Sequence, residues 1–220
     1  MTDVEPRLLF LIRHGRSDMG SQDMTTTARG PQWDPPLGEE GRLQAELLGR
    51  RLAMMPPPAV VYCSTFRRAR QTVAPYAART GCEVTYLEDL GEAFIGAWEG
   101  RSFEEIVKND GEMLLLFRNQ EAMWRRAPGA EPLARLQERA SAAIENILTV
   151  HPDGNVVVVA HGGIINAYIA PILGLHEREM FFLPDNTSIN TVAVDGGQRS
   201  VRFLSDVRHL TDPHFFDPEA

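Results

Sequence analysis

Nearly continuous apolar runs at residues 8–12, 59–63 and 155–160 form the clearest pattern along the chain. Runs of this length, in which polar residues do not alternate with apolar ones, are typical of strands buried on both faces of a parallel sheet. A fourth run, at 83–88, contains charged residues. It therefore predicts a strand near an edge of the sheet.

Stretches with apolar residues at helical spacing lie between these runs. The first predicted helix begins near Glu39 and is stopped by the prolines that start at Pro56. Its apolar stripe consists of Leu43, Leu47, Leu48, Leu52 and Met55. A second helix, for which Ser64 or Thr65 is the predicted cap, ends at Gly81.

The C-terminal half continues this alternation. The spacing of apolar residues predicts an amphipathic helix over 133–148, and another helix follows the last apolar run and extends through Ile172. Two final strands, at 188–194 and 200–207, are predicted to pair as a hairpin across a turn at 195–197.

Strands that alternate with helices predict an α/β fold, here a three-layer sandwich with a mostly parallel central sheet. We predict a single domain over residues 1–220. Residues 16–36 are polar and without periodicity, which predicts a long loop. Residues 89–130 mix glycines with aromatic residues and interrupt the alternation, so we predict a small inserted helical cap there. The apolar residues of its main helix are Leu114, Phe117 and Trp124.

Composition excludes some classes of function. A net charge of -8, with 22 Lys+Arg, argues against non-specific binding of nucleic acid. The two cysteines match no metal-binding or disulfide pattern, so we expect Cys63 and Cys82 to be reduced core residues. The N-terminus does not resemble a signal peptide, and polar residues interrupt the apolar stretch at 155–175. A soluble cytoplasmic protein with no membrane partner is the expectation.

Histidine and glycine follow two of the buried strands, as Arg13-His14-Gly15 and His161-Gly162-Gly163. The carboxyl ends of parallel strands share one edge of the sheet, where ligands bind in open α/β folds. Arg67-Arg68 follows a third strand at that edge. These cations could simply be solvated strand ends, but their convergence favours an anion, because like charges repel. A phosphoryl group suits the guanidinium fork, and a neutral histidine can attack phosphorus.

An ordered set of motifs covers essentially the whole chain. It comprises Arg13-His14-Gly15, Ser64 with Arg68-Ala69 and Thr72, Glu92 with Gly96, Trp98-Glu99-Gly100, and Ala160-His161-Gly162-Gly163. Further matches are Pro36-Leu37, Gly41, Gln44-Ala45, Pro128-Gly129, Glu131, Leu133, Asn186, Ser188-Ile189, Asp206 and His209-Leu210. This set resembles the histidine phosphatase superfamily, which includes the cofactor-dependent phosphoglycerate mutases.

The resemblance implies roles for individual residues. His14 is expected to be the nucleophile that forms a phosphohistidine, and Glu92 the acid that protonates the leaving oxygen and then activates water. Arg13, Arg68 and His161 are expected to bind the phosphoryl oxygens, and His161 is also counted among the catalytic residues. Backbone N–H groups at the start of the helix near Gly162 and Gly163 would add donors. No cofactor and no metal is implied, because these cations supply the charge compensation.

Some assignments have rivals in the sequence. Arg67 or Arg70 could replace Arg68 as the phosphate ligand, and Asp89 or Glu99 could replace Glu92 as the acid. Trp98 is interpreted as a packing residue rather than as a substrate platform. The remaining histidines are expected at the surface, with His209 a candidate for the rim of the site. They are His151, His176, His209 and His214.

The chain departs from the family pattern after the first motif. Many relatives follow that motif with Glu-Thr and later an asparagine, where this chain has Arg16-Ser17 and Gly20. Gly38 also stands where relatives often carry a Ser or Thr helix cap. We therefore expect a rebuilt loop in which Arg16, Ser17 or Ser21 could contact the substrate.

Hydrolysis of a small phosphomonoester is the leading functional hypothesis. A phosphoglycerate mutase-type transfer is the alternative, although the segment Gly91–Gly96 is more apolar and compact than mutases of this family usually have. A catalytically silent phosphate-binding protein is a third reading, from which one would expect a lost catalytic residue. Symmetry statistics make a homodimer the default expectation for the assembly.

Overall fold

A six-stranded mixed sheet is the centre of the computed structural model, which describes residues 6–108, 126–178 and 180–212. The strands are β1 (Arg7–Arg13), β2 (Met24–Thr27), β3 (Gly30–Trp33), β4 (Val60–Ser64), β5 (Val84–Leu87), β6 (Val156–Ala160), β7 (Ile189–Asp195) and β8 (Gln198–Asp206). The helices are α1 (Glu39–Met54), α2 (Arg67–Thr80), α3 (Phe103–Lys108), α4 (Leu133–Val150) and α5 (Gly162–Ile172).

The strand order in the main sheet is β5-β4-β6-β1-β7-β8. The first four strands of this order are parallel, and β7 and β8 continue the sheet as an antiparallel hairpin. The charged strand β5 lies at one edge, as its composition predicts. The pairing of β1 with β6 places Arg13 opposite Ala160. The two histidine-bearing strand ends therefore lie side by side.

Side chains of β1 alternate between two apolar layers. Leu9 and Leu11 pack in a cluster with residues of α4 and α5, whereas Phe10 and Ile12 pack with residues of α1 and α2. Helices thus cover both faces of the sheet, which explains why the central strands are apolar without interruption. The predicted three-layer α/β sandwich with a mainly parallel sheet is confirmed.

The prediction of an unstructured loop over residues 16–36 is wrong in part. β2 and β3 form a separate two-stranded antiparallel sheet in which Met24 pairs with Trp33 and Thr27 pairs with Gly30. Its strands have only four residues each. The tip is closed by Gly30, whose φ of 124° lies in a region that favours glycine. Strands this short leave little periodicity for sequence reasoning to detect.

Two details of the predicted helices also need correction. Leu43 belongs to the predicted apolar stripe of α1, yet 56% of it is exposed. Helix α2 is capped neither by Ser64 nor by Thr65. Its first residue, Arg67, donates its backbone N–H to both carboxylate oxygens of Asp34, at 2.9 and 3.0 Å. An aspartate distant in sequence thus supplies the cap.

The predicted cap region is described only at its flanks. Residues Gly96–Trp98 form a single 3-10 turn, and α3 follows. Trp98 is half-buried. The predicted helix residues Leu114, Phe117 and Trp124, like His214 near the C-terminus, lie outside the described residues. Across the described ranges, no helix combines the length and hydropathy needed to cross a membrane.

Candidate active site

Hydrogen bonds from two segments hold the backbone where β1 ends. The N–H of His14 donates to Ala160 O of β6 at 3.0 Å. The N–H of Thr187 donates to Arg13 O at 3.0 Å, and the amide of Asn186 donates to His14 O at 3.0 Å. The peptide groups on both sides of His14 are therefore fixed, although His14 already lies beyond the strand.

Gly15 connects this strand end to helix α2. Its N–H donates to Thr72 Oγ1 at 2.9 Å, and the Thr72 hydroxyl donates in turn to Arg68 O at 2.7 Å. A Cβ at Gly15 would lie 2.8 Å from Gly41 O, so only glycine permits this approach to α1. The loop of His14 and the helix that carries Arg68 are thus fixed relative to each other.

The His14 ring is oriented with Nε2 toward Arg68. Nδ1 lies 2.7 Å from Gly15 O, which can only accept, so Nδ1 carries the proton. Arg68 Nε donates to His14 Nε2 at 3.3 Å. Burial, Arg68 and Arg13 hold the pKa of His14 well below its usual range. The imidazole is therefore neutral near pH 7, with its lone pair on Nε2.

His161 lies next to His14, with 5.1 Å between the ring centroids. Its Nε2 is 2.8 Å from Ser64 Oγ, which also accepts the N–H of Phe66. Burial, followed by Arg68, lowers the pKa of His161 well below its ordinary value, so this ring too is neutral. The Ser64 hydroxyl can then donate to Nε2, which leaves the proton on Nδ1.

Two buried nitrogen atoms near these rings have no hydrogen-bond partner within the described part of the chain. They are His161 Nδ1 and Arg13 Nε. The Arg13 guanidinium is otherwise held by a bond from Nη1 to Pro184 O. Unsatisfied buried donors are costly, and a bound anion with several acceptor oxygens would satisfy both. The cluster is therefore suited to an oxyanion such as a phosphoryl group.

Arg68 is held by residues that sequence reasoning did not single out. Its Nη1 donates to Trp33 O at 3.0 Å and lies 3.4 Å from Asp34 Oδ1. Both acceptors are at the end of the β2–β3 hairpin. Its rivals lie elsewhere, because Arg67 pairs with Asp23 and Arg70 stacks over the ring of Tyr86. The structure thus places Arg68, and not these neighbours, beside His14.

Glu92 reaches the same place from the loop after β5. Its carboxylate accepts the N–H of Gly163, in the first turn of α5, at 3.1 and 3.3 Å. A negative charge at a helix N-terminus is favourable. A Cβ at Gly163 would lie 2.3 Å from Glu92 Oε1, so glycine is needed for this contact. Burial lowers the pKa of both Arg13 and Arg68, and the negative charge of Glu92 acts in the opposite direction.

A buried ion pair between Arg139 and Glu131 holds the loop that carries Glu92. Arg139 on α4 pairs with Glu131 at 2.7 Å, and the two side chains are 11% and 9% exposed. Arg139 also donates to the carbonyl oxygens of Asp89 and Gly91, at 2.7 and 2.9 Å. Nothing in the local sequence around Arg139 indicates this role, because the contacts join segments about 50 residues apart.

The expectation that His209 lies at the surface is wrong. It is completely buried, and its Nε2 is 3.0 Å from Thr187 Oγ1, behind the residues that bind the backbone at His14. Its Nδ1 lies 3.3 Å from Nη1 of Arg51, a residue that also pairs with Asp206. His151 is half-buried, with Nε2 2.9 Å from the hydroxyl of Tyr62. His209 therefore stabilises the segment around Thr187 that binds the backbone at His14.

We expect His209 to make the fold sensitive to acid. Burial, followed by Arg51, lowers its pKa from 6.5 to about 4. Between these values the unfolded chain binds the proton and the folded chain does not, so the free energy of unfolding falls as pH falls. The expected loss from His209 is about 1 to 2 kcal/mol between pH 6.5 and pH 5. Urea unfolding at both pH values measures it.

The matched variant is His209→Gln, which removes this titration. Its free energy of unfolding should depend less on pH than that of the wild type, whatever its absolute stability. Equal pH dependence in the two proteins would contradict the assignment. Because the pKa values of His14 and His161 are also lowered, the variant is expected to retain some acid sensitivity.

The three proposed loop contacts do not join the cluster. The guanidinium of Arg16 is exposed and pairs with Glu40 on α1 at 2.8 Å. Ser17 forms a β-bridge with Leu37, and the hydroxyl of Ser21 accepts the N–H of Asp23. A contact of any of these three residues with the substrate stays a prediction. Within the described ranges, no three His, Cys, Asp or Glu side chains form a group that could hold a metal ion.

The fold and the site define a class of protein. It is an α/β protein in which two neutral histidines, two arginines and a carboxylate converge beyond the carboxyl ends of parallel strands. The chain belongs to the histidine phosphatase superfamily (branch 1), whose family model matches residues 9–207. The predicted family is therefore confirmed. The prediction that the protein is a phosphatase of that superfamily is confirmed as well.

Individual relatives support the same assignment. A metal-independent phosphoserine phosphatase of Arabidopsis thaliana is 29% identical over 220 residues, which cover 96% of this chain and 88% of that protein. A glucosyl-3-phosphoglycerate phosphatase of Mycobacterium tuberculosis is 32% identical over 185 residues, with 78% of each chain covered. The solved structure of Bacillus stearothermophilus YhfR superposes with a TM-score of 0.77 at 28% identity, covering 93% of this chain and 99% of that chain.

Proposed function

We propose that this protein hydrolyses phosphomonoesters through a phosphohistidine on His14, with Glu92 as general acid and base. The observation that carries the proposal is the protonation state and orientation of the His14 ring. The ring is neutral, its proton is committed to Gly15 O, and its Nε2 lone pair lies beside the Arg68 guanidinium. A nucleophile and a cation for the phosphoryl oxygens are thus in contact.

In the first step, the Nε2 lone pair of His14 forms a bond to phosphorus while the bond from phosphorus to the ester oxygen breaks. Protonated Glu92 gives its proton to the departing oxygen, and the alcohol leaves. The phosphoryl group is then held on a cationic imidazole, with Glu92 as a carboxylate.

In the second step, the Glu92 carboxylate takes a proton from water, and the water oxygen attacks the same phosphorus atom. The bond from phosphorus to Nε2 breaks, and its electron pair returns to His14. Inorganic phosphate leaves, and Glu92 is protonated again. The same carboxyl group thus acts as the acid in the first step and as the base in the second. Its contact with the N-terminus of α5 holds it in place for both steps.

The unsatisfied donors supply the binding of the transferred group. Arg13 Nε and His161 Nδ1 are buried without a partner among the described residues, and Arg68 lies beside them. Bonds from these donors strengthen as negative charge moves onto the phosphoryl oxygens in the transition state. We propose a small phosphorylated molecule as the substrate. Phosphoserine and glucosyl-3-phosphoglycerate, named for the two relatives, are the first candidates to test.

The proposed hydrolysis predicts phosphate release from p-nitrophenyl phosphate without any phosphoryl donor. The measurement compares turnover with and without a bisphosphoglycerate. Equal rates under the two conditions are expected for a hydrolase, because water regenerates His14. A rate that depends on the donor would favour the mutase alternative. Absence of turnover under both conditions would contradict the proposed function.

A further inference from the structure

Glu99 joins the β2–β3 hairpin, which contacts Arg68, to the loop that carries Glu92. Its Oε2 accepts the N–H of Trp33 at 2.9 Å, on the β2–β3 hairpin. Its Oε1 accepts the N–H of Ile95 at 3.0 Å, on the loop that carries Glu92. One carboxylate therefore bridges residues that are about 60 positions apart in the chain.

Each of these two hydrogen bonds connects Glu99 to a segment that contacts or carries a site residue. Trp33 donates its N–H to Glu99 and accepts the guanidinium of Arg68 with its carbonyl oxygen. Gln32 Nε2 makes longer contacts to Glu99 Oε1, at 3.5 Å, and to the carbonyl oxygen of Glu92, at 3.4 Å. The position of Glu99 is thus coupled to Arg68 on one side and to Glu92 on the other.

The hairpin and the Glu92 loop contact each other along their length. At the hairpin tip, the N–H of Ala28 donates to Glu88 Oε1 at 2.6 Å. A Cβ at Gly30 would lie 3.3 Å from the ring of Phe94, so the backbone approaches that ring closely. At the other end of this contact, Glu99 accepts hydrogen bonds from both segments, from Trp33 and from Ile95. The two segments are thus bonded to each other at both ends of this contact.

Glu99 itself has no proton-transfer role in this arrangement. Proton transfer is assigned to Glu92 instead, because Glu92 is the carboxylate whose charge acts most strongly on both Arg13 and Arg68 against the effect of their burial. Burial raises the pKa of Glu99, while the bonds from Trp33 and Ile95 act in the opposite direction. A partly buried carboxylate that accepts several N–H groups is held firmly, because such charge-assisted bonds are strong.

We propose that Glu99 is a positioning residue that sets Arg68 and Glu92 at their working distances from His14. The inference rests on the proposed role of Glu92. A glutamine at this position would have nearly the same shape, but its NH2 group would face one of the two backbone donors. One N–H would lose its acceptor, and the hairpin and loop would separate locally.

The test is Glu99→Gln assayed with two leaving groups. With phosphoserine, whose alkoxide needs a proton to leave, kcat/KM is expected to fall about 10- to 100-fold. With p-nitrophenyl phosphate, whose phenolate leaves easily, the fall should be at least about fivefold smaller, because misplacing the acid then costs less. Weaker inhibition by orthovanadate would report the displaced Arg68. Glu138→Gln, which removes an exposed carboxylate on α4, is the control and should match the wild type.

Two outcomes would overturn the proposal. One is Glu99→Gln with wild-type kcat/KM for both esters. The other is an equal loss for both, accompanied by a lower melting temperature, as expected from a purely structural role. Gln32→Leu provides a second variant and should show the same selectivity more weakly. If the wild type turned over neither ester, the proposed function would fail together with this inference, whereas an unselective loss in Glu99→Gln with unchanged inhibition by orthovanadate would remove the inference alone.

Discussion

His14→Ala is expected to lower kcat for p-nitrophenyl phosphate by at least about 10⁴-fold, because no other group in the site can form the covalent intermediate. His161 is the nearest imidazole, but its Nε2 is bonded to Ser64 Oγ, and its Nδ1 is the group to which the proposal assigns binding of the phosphoryl oxygens. A wild-type sample denatured in alkali during turnover should retain a phosphoryl group that acid removes. The His14→Ala sample should retain none.

The control for this experiment is His176→Ala, which removes an exposed histidine. It should keep both the turnover and the label of the wild type. Binding of inorganic phosphate to His14→Ala should persist, because Arg13, Arg68 and His161 remain. Substantial turnover by a folded His14→Ala protein would show that water attacks the ester directly, and the two-step path would then be wrong.

The central cluster could be predicted because simple topology brings it together. Arg13 and Ala160 end adjacent parallel strands, so the histidines that follow must be neighbours. Continuous apolar runs identified both strands, and the parallel arrangement fixed the edge at which they end. The same reasoning placed Arg67-Arg68 at this edge, since α2 starts directly after β4. The choice of Arg68 between these neighbours came from the resemblance to the family motif.

The supporting residues could not be predicted in this way. Asp34 caps α2 and pairs with Arg68, although it belongs to a hairpin whose four-residue strands leave little signal. Arg139 and His209 act across long sequence separations, on the loop of Glu92 and on Thr187. From sequence alone, a charged or titratable residue is expected to be exposed to solvent. Only its tertiary partners show that it is buried.

Glu92→Gln is expected to separate the two chemical steps. Loss of the acid should lower kcat/KM for phosphoserine by about 10³-fold, but that for p-nitrophenyl phosphate much less. Loss of the base should slow the attack of water on the phosphohistidine whichever ester formed it. Rapid mixing with p-nitrophenyl phosphate should therefore release about one equivalent of p-nitrophenolate in a burst, followed by slow turnover, as expected when an intermediate accumulates.

Gly163→Ala tests the same assignment while every catalytic side chain remains in place. Its new Cβ would lie 2.3 Å from Glu92 Oε1, so the carboxylate must move away from the start of α5. The same selectivity and burst are expected, in weaker form. Gly197→Ala is the control, because a Cβ there meets nothing within 4 Å. If Glu92→Gln and Gly163→Ala both kept the wild-type ratio of the two esters and showed no burst, Glu92 could not be the acid. The geometry argues for the opposite result, because the contact with Gly163 holds the Glu92 carboxylate at the start of α5, the helix that directly follows His161.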